Sequence, residues 1–146
     1  MPIRFFCEEI EFKISNPKKV KDWLRQSASR ERREIGEINY VFCSDQYLLK
    51  LNQQYLNHKT LTDIITFDYS EGKTVSGEIY MSIERVTENS AKFGCEFEDE
   101  LHRVMIHGAL HLCGYKDKSS SDKTLMRKKE DAYLSLRKKV FHVKRS

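Results

Sequence analysis

The chain has 146 residues, 33% of them charged and 39% hydrophobic, enough to bury one core and too few for two, so residues 1–146 are expected to form a single domain. No stretch approaches the roughly 18 consecutive apolar residues of a membrane helix, and the N-terminal residues lack a signal peptide's long apolar region and cleavage site; a cytoplasmic protein without a membrane partner is expected. The net charge of +4 is uneven: from Lys116 onward there are 11 Lys and Arg against 4 Asp and Glu, which leaves 15 against 18 before it. Such a basic run is either a solvated helix face or, beside a cleft, a phosphate-binding surface.

In chain order, Ile3 to Phe12 alternates apolar residues of β-branched and aromatic type and reads as a first strand or strand pair. Asn16 and Pro17 suit the cap and first position of a helix whose buried stripe is Val20, Trp23, Leu24 and Ala28, with Arg30, Arg32 and Arg33 at its solvated end. Gly36 is expected to break that helix, and Ile38, Tyr40 and Phe42 to alternate along a second strand. Ser44 can cap a helix with Leu48, Leu51 and Tyr55 on its core face, ending in the polar loop Asn57 to Thr60. Thr62 to Phe67 and Gly77 to Ile83 read as two strands joined by a hairpin-like connection with Gly72. Ser82 caps a short helix through Val86 and Phe93 that stops at Gly94. After Phe97 comes a nearly all-apolar helix, and after the cap-rich residues Ser119 to Asp122 a last amphipathic helix with Leu125, Met126, Ala132, Tyr133, Leu136 and Val140 on its core side. The fold class is α+β, a small mixed sheet with helices packed around the apolar helix. Cys7, Cys43, Cys95 and Cys113 are widely spaced and read as reduced core thiols.

The apolar helix carries the chemistry. His107 and His111 stand four apart, so both imidazoles lie on one face. Gly114 supplies the turn that lets Asp117 come back as a third donor. Two histidines and a carboxylate leave one tetrahedral position open, as in catalytic rather than structural zinc sites; the alternative is a pair of hydrogen-bonded core histidines. Cys113 lies two residues past His111, a possible neighbour of the metal but a poorly directed ligand. Glu100 and Arg103 precede His107 on the same face, where Glu100 can orient a ligand and Arg103 can meet a phosphate, unless both are simply solvated. Metalloproteases of the H-E-x-x-H kind place a glutamate after the first histidine; Gly108 stands there, which disfavours peptide hydrolysis.

The run His107, Gly108, Leu110, His111, Leu112, Gly114 and Tyr115 resembles the H-G-x-L-H-L-x-G-Y-x-H signature of the YbeY family of bacterial metal-dependent endoribonucleases. Tyr55, then Thr62-Asp63-Ile64-Ile65-Thr66-Phe67, resembles that family's Tyr and T-D-V-L-S-F segments, and Gly77-Glu78-Ile79 its G-D-I. Two positions depart from the pattern: Asp117 replaces the third histidine, and Leu56 an arginine. The resemblance implies a single-strand endoribonuclease in late maturation of ribosomal RNA, at the 16S 3′ end, and in ribosome quality control, with ribosomal RNA and ribosomal subunits as partners.

One Zn2+ per chain on His107, His111 and Asp117 would keep a net positive charge and acidify a water. That water could attack phosphate or deprotonate a ribose 2′-hydroxyl, and the residues do not choose. Arg103, Lys116, Lys128 and Lys129 are the candidate RNA contacts. Beside the endoribonuclease stand two other readings, an RNA-binding ribosome factor with a structural metal and a zinc hydrolase for small molecules.

Overall fold

The computed structural model describes residues 2–56, with the backbone alone at Leu56, and 62–141. The elements run β1 (Ile3–Glu8), α1 (Pro17–Arg30), β2 (Glu34–Cys43), α2 (Asp45–Leu56), β3 (Ile64–Asp68), β4 (Thr74–Ser82), α3 (Ile83–Phe93), α4 (Phe97–Leu112) and α5 (Ser120–Phe141). The sheet has the order β1-β2-β4-β3, with β1 parallel to β2, β2 parallel to β4, and β3 antiparallel to β4. The fold is therefore α+β with a mixed sheet. No helix among the described residues is long and apolar enough to cross a membrane.

One main core holds the structure together. Ile38, Tyr40 and Phe42 of β2 and Ile79 and Met81 of β4 face Leu101, Met105 and Ile106 of α4, with Val20, Trp23 and Leu24 of α1 and Met126, Tyr133 and Leu136 of α5 completing it. A smaller cluster of Cys43, Leu48 and Ile65 holds α2 on the opposite face of the sheet. Because neighbours surround α4, it must be apolar on nearly every side. The half-buried exceptions Arg103, His107 and His111 recur every four residues, so they form one stripe. Two glycines let this helix seat closely: a Cβ at Gly108 would meet Ile64 and Ile79 at 2.9 Å, and one at Gly77 would meet the Phe67 carbonyl at 2.4 Å and Leu112 at 2.9 Å.

Caps expected from sequence are formed at several helix starts. The Ser44 hydroxyl accepts from the Tyr47 amide and Ser82 from the Arg85 amide, while Ser119 and Asp122 bond each other's amides reciprocally. Asn16 differs, because it takes a left-handed conformation at φ 53° and makes no side-chain cap bond.

Other expectations are corrected. The N-terminal segment forms one strand, β1. Gly36 does not end α1; it lies within β2 at a register irregularity between Ile35 and Ile38, where a Cβ would meet the Ser76 hydroxyl at 2.4 Å. The α1 helix ends at Arg30, followed by Arg32 at φ 61°. Arg33 is not merely solvated, since it donates to the Cys113 carbonyl at 2.9 Å. Tyr55 and Leu125 are exposed rather than core, and the neighbouring Met126 takes the core position at the start of α5. All four cysteines are free, but only Cys43 and Cys113 are buried. Asn57 to Thr60 and His142 lie outside the described residues.

The two glycine seats should differ in tolerance. Gly77→Ala presses on a backbone carbonyl and should cost about 2–3 kcal/mol, whereas Gly108→Ala presses on the movable end of Ile64 and on the Ile79 Cγ2 branch and should cost about 1–2 kcal/mol. Urea unfolding of both variants measures the order.

Candidate metal centre

The C-terminal turn of α4 and the loop beyond it bring the three expected donors together. His107 Nε2 lies 3.0 Å from His111 Nε2 and 3.2 Å from Asp117 Oδ2, and His111 Nε2 is 3.3 Å from the same carboxylate oxygen. Helical spacing brings the imidazoles together, and the chain reversal at Gly114, φ 106°, returns Asp117 to them. These are the one group of three or more His, Cys, Asp or Glu side chains, among the described residues, that could hold a metal ion.

The outer nitrogens decide what the inner ones can do. His107 Nδ1 is 2.6 Å from Glu130 Oε2 on α5, and His111 Nδ1 is 2.9 Å from the Tyr115 carbonyl. Both partners are acceptors, so each neutral ring carries its proton on Nδ1 and turns an Nε2 lone pair inward. Glu130 is fixed in turn by Arg103, whose guanidinium donates to Glu130 and Asp131 at 2.8 Å each. The turn at Tyr115 is anchored by Glu31, which accepts from the Tyr115 hydroxyl at 2.7 Å, from Lys129 at 3.0 Å and from the Tyr133 hydroxyl.

Burial by itself would lower the pKa of His107, but the bond to Glu130 and the charges of Glu130, Asp117 and Asp63 outweigh it and raise the value above 6.5. Burial pushes Glu130 upward, and the bonds to His107 and Arg103 overcome it, leaving its pKa below 4.5. Asp63 and Glu100 move the other way: both are raised, chiefly by burial, and Glu100 also by the charge of Asp63.

The donors open on a cleft of about 1110 Å³ that also reaches Asp63, Glu100, Arg103, Lys118 and Arg127. Glu100 lines this cleft, but the carboxylate on His107 is Glu130, and Arg103 is engaged by acids rather than free to meet a phosphate. Lys116, Lys128 and Lys129 are not among the residues lining the cleft; Lys129 is tied to Glu31 and lies 5.6 Å from the Tyr115 ring centre. Cys113 is buried in the main core. Sequence reading missed Glu130, although an acid on the stripe Met126, Tyr133, Leu136, Val140 was a detectable signal. Glu31, Lys118 and Arg127 carried none, because each is one more charge in a charged segment.

The chain matches the family model described as Endoribonuclease YbeY over residues 4–138. It is 55% identical to the Endoribonuclease YbeY of Flavobacterium psychrophilum over 141 residues, 97% of this chain and 98% of that protein. It is 49% identical to the protein of that name from Cytophaga hutchinsonii, covering 93% and 96% of the two chains. The solution structure of TM1509 from Thermotoga maritima is similar, with a TM-score of 0.65 at 30% identity, covering 93% of this chain and 89% of that one.

The Glu130–His107 pair makes a signed prediction for metal-free protein. The raised His107 pKa contributes stability that is complete below its unfolded value near 6.5 and is lost as pH rises through the higher folded value. The lowered Glu130 pKa contributes stability that is complete above its unfolded value near 4.5 and is lost as pH falls through the lower folded one. The stability difference between the parent and Glu130→Gln, measured by urea unfolding, should therefore be greatest between pH 4.5 and 6.5. The same substitution should weaken metal binding about 10- to 100-fold, read by competition with a chelator.

Proposed function

The chain belongs to the YbeY endoribonuclease family, and on that premise we propose that it is a zinc-dependent endoribonuclease of the cytoplasm, one domain over residues 1–146, that acts on ribosomal RNA during late ribosome maturation. The observation that carries the metal is the meeting of three acceptors, two imidazole nitrogens and a carboxylate oxygen, within 3.0–3.3 Å of one another. Their lone pairs repel unless a cation lies between them, and the donor set is one that zinc accepts. His107, His111 and Asp117 would hold it. When bound, zinc supplies Lewis-acid charge stabilisation and a nucleophile at neutral pH.

The chain's own residues supply the rest. Glu130 and the Tyr115 carbonyl fix the imidazole tautomers before substrate arrives. Asp117 reduces the positive charge of the donor set relative to a third histidine. Lys118 and Arg127 reach the cleft without a salt bridge among the described residues, which suits them to phosphate oxygens. Three protein donors in an open cleft, with ligand side chains 20–40% exposed, favour a catalytic role over a structural metal in an RNA-binding factor.

Cleavage of single-stranded ribosomal RNA by purified protein, stopped by chelator and restored by zinc, is the expected result; RNA binding without cleavage would favour the RNA-binding factor. Asp117→Ala should weaken zinc binding by more than 100-fold, beyond the usual loss for a residue that only orients a ligand, and Asp117→His should retain metal. Charge reversal at Lys118 and Arg127 should weaken RNA binding and flatten its salt dependence by about one unit per lost phosphate contact. Reversal at Lys128 should do much less, and filter binding at several salt concentrations compares the two.

A further inference from the structure

The cleft continues beyond the metal donors towards the start of α4. Glu100 stands seven residues before His107, about 10 Å along the helix, and lines the cleft while its residue is 6% exposed. No hydrogen bond or ion pair holds its carboxylate among the described residues: Arg103, one turn away, is given to Glu130 and Asp131. The Glu100 oxygens are not among the fully enclosed atoms left without a partner, so they meet the water of the cleft, which a ligand that brings N–H groups can replace. Burial and the charge of Asp63 raise the Glu100 pKa against the opposing charges of Arg103 and Arg127. The same cleft is lined by Asn89 and Phe93 of α3, four apart on one face, and the Phe93 residue is 62% exposed.

These groups exclude most ligands. Asp63 and Glu100 repel a phosphate, and they belong to no group of three donors close enough to hold a metal ion, among the described residues. Two carboxylates favour a ligand that brings N–H donors, and the exposed Phe93 ring lining the same cleft favours a flat one. We infer that Glu100, Asp63, Asn89 and Phe93 form a nucleobase pocket selective for guanine, with the Glu100 carboxylate accepting from the adjacent N1–H and 2-amino donors and the Phe93 ring lying against the base. Guanine is favoured because it offers two neighbouring N–H donors to one carboxylate. Stacking on an exposed ring is the usual way a protein holds an unpaired base. The inference rests on the RNA-cleaving reading, and it adds selection of the nucleotide neighbouring the bond held at His107 and His111.

The test is NMR titration of zinc-loaded full-length protein with guanosine 5′-monophosphate, inosine 5′-monophosphate, which lacks the 2-amino group, and ribose 5-phosphate. The guanine nucleotide should bind about tenfold more tightly than the other two, shifting the Asn89 and Phe93 amides. Glu100→Gln should remove that preference. Equal binding of all three, or an unchanged preference in a folded Glu100→Gln, would overturn the pocket. Should that variant fail to fold, Phe93→Ala decides, since its side chain is on the surface: binding of the guanine nucleotide should weaken about tenfold with ribose 5-phosphate unchanged, and no weakening overturns the inference. RNA cleavage by the parent without guanine preference sinks the pocket alone. Guanine-selective nucleotide binding by a protein that cuts no RNA supports the pocket and sinks the nuclease reading.

Discussion

Two imidazole nitrogens and a carboxylate oxygen aimed at one point repel one another unless positive charge lies between them, and much of the surrounding architecture serves to hold that arrangement. Helix α4 supplies the imidazoles at a fixed spacing, and the turn after it returns Asp117. Acceptors behind each ring, Glu130 and the Tyr115 carbonyl, determine which nitrogen carries the proton. Each is itself restrained, Glu130 by Arg103 and Tyr115 by Glu31. Elements distant in sequence thus converge on two hydrogen bonds.

Helix α4 can hold this geometry because it is surrounded by α1, α3, α5 and the sheet, so its packing leaves little freedom for rotation or sliding. Gly108 and Gly77 contribute close approach: their absent side chains let α4 lie against Ile64 and Ile79 and bring Leu112 up to β4. An added methyl at Gly77 would press on the Phe67 carbonyl and Leu112, and one at Gly108 on Ile64 and Ile79. Stability and site geometry are the same constraint here.

The cleft carries charge of both signs. Lys118 and Arg127 lie on its wall, whereas Lys129 neutralises Glu31 beside the anchored Tyr115. Asp63 and Glu100 share the same cleft, their pKa values raised by burial. The charge of Arg127 lowers the Glu100 pKa against that burial, so the basic and acidic groups of the cleft act on one another.

Local spacing made much of this protein legible in its sequence. The three donors, the turn at Gly114, the caps at Ser44 and Ser82 and the apolar stripes of α1 and α4 depend on contacts within a few residues, and helical or strand periodicity encodes such contacts directly. The family signature lies in the same local runs. Tertiary structure alone decided the partners: that Glu130, 23 residues from His107, turns its imidazole, that Glu31, 84 residues from Tyr115, anchors the turn, and that Lys118 and Arg127 rather than Lys128 and Lys129 face the cleft. A charged residue has the same local signature whether it faces solvent, a metal ligand or a phosphate. Which of these it meets depends on how the helices cross, and crossing is fixed by packing between segments far apart in the chain.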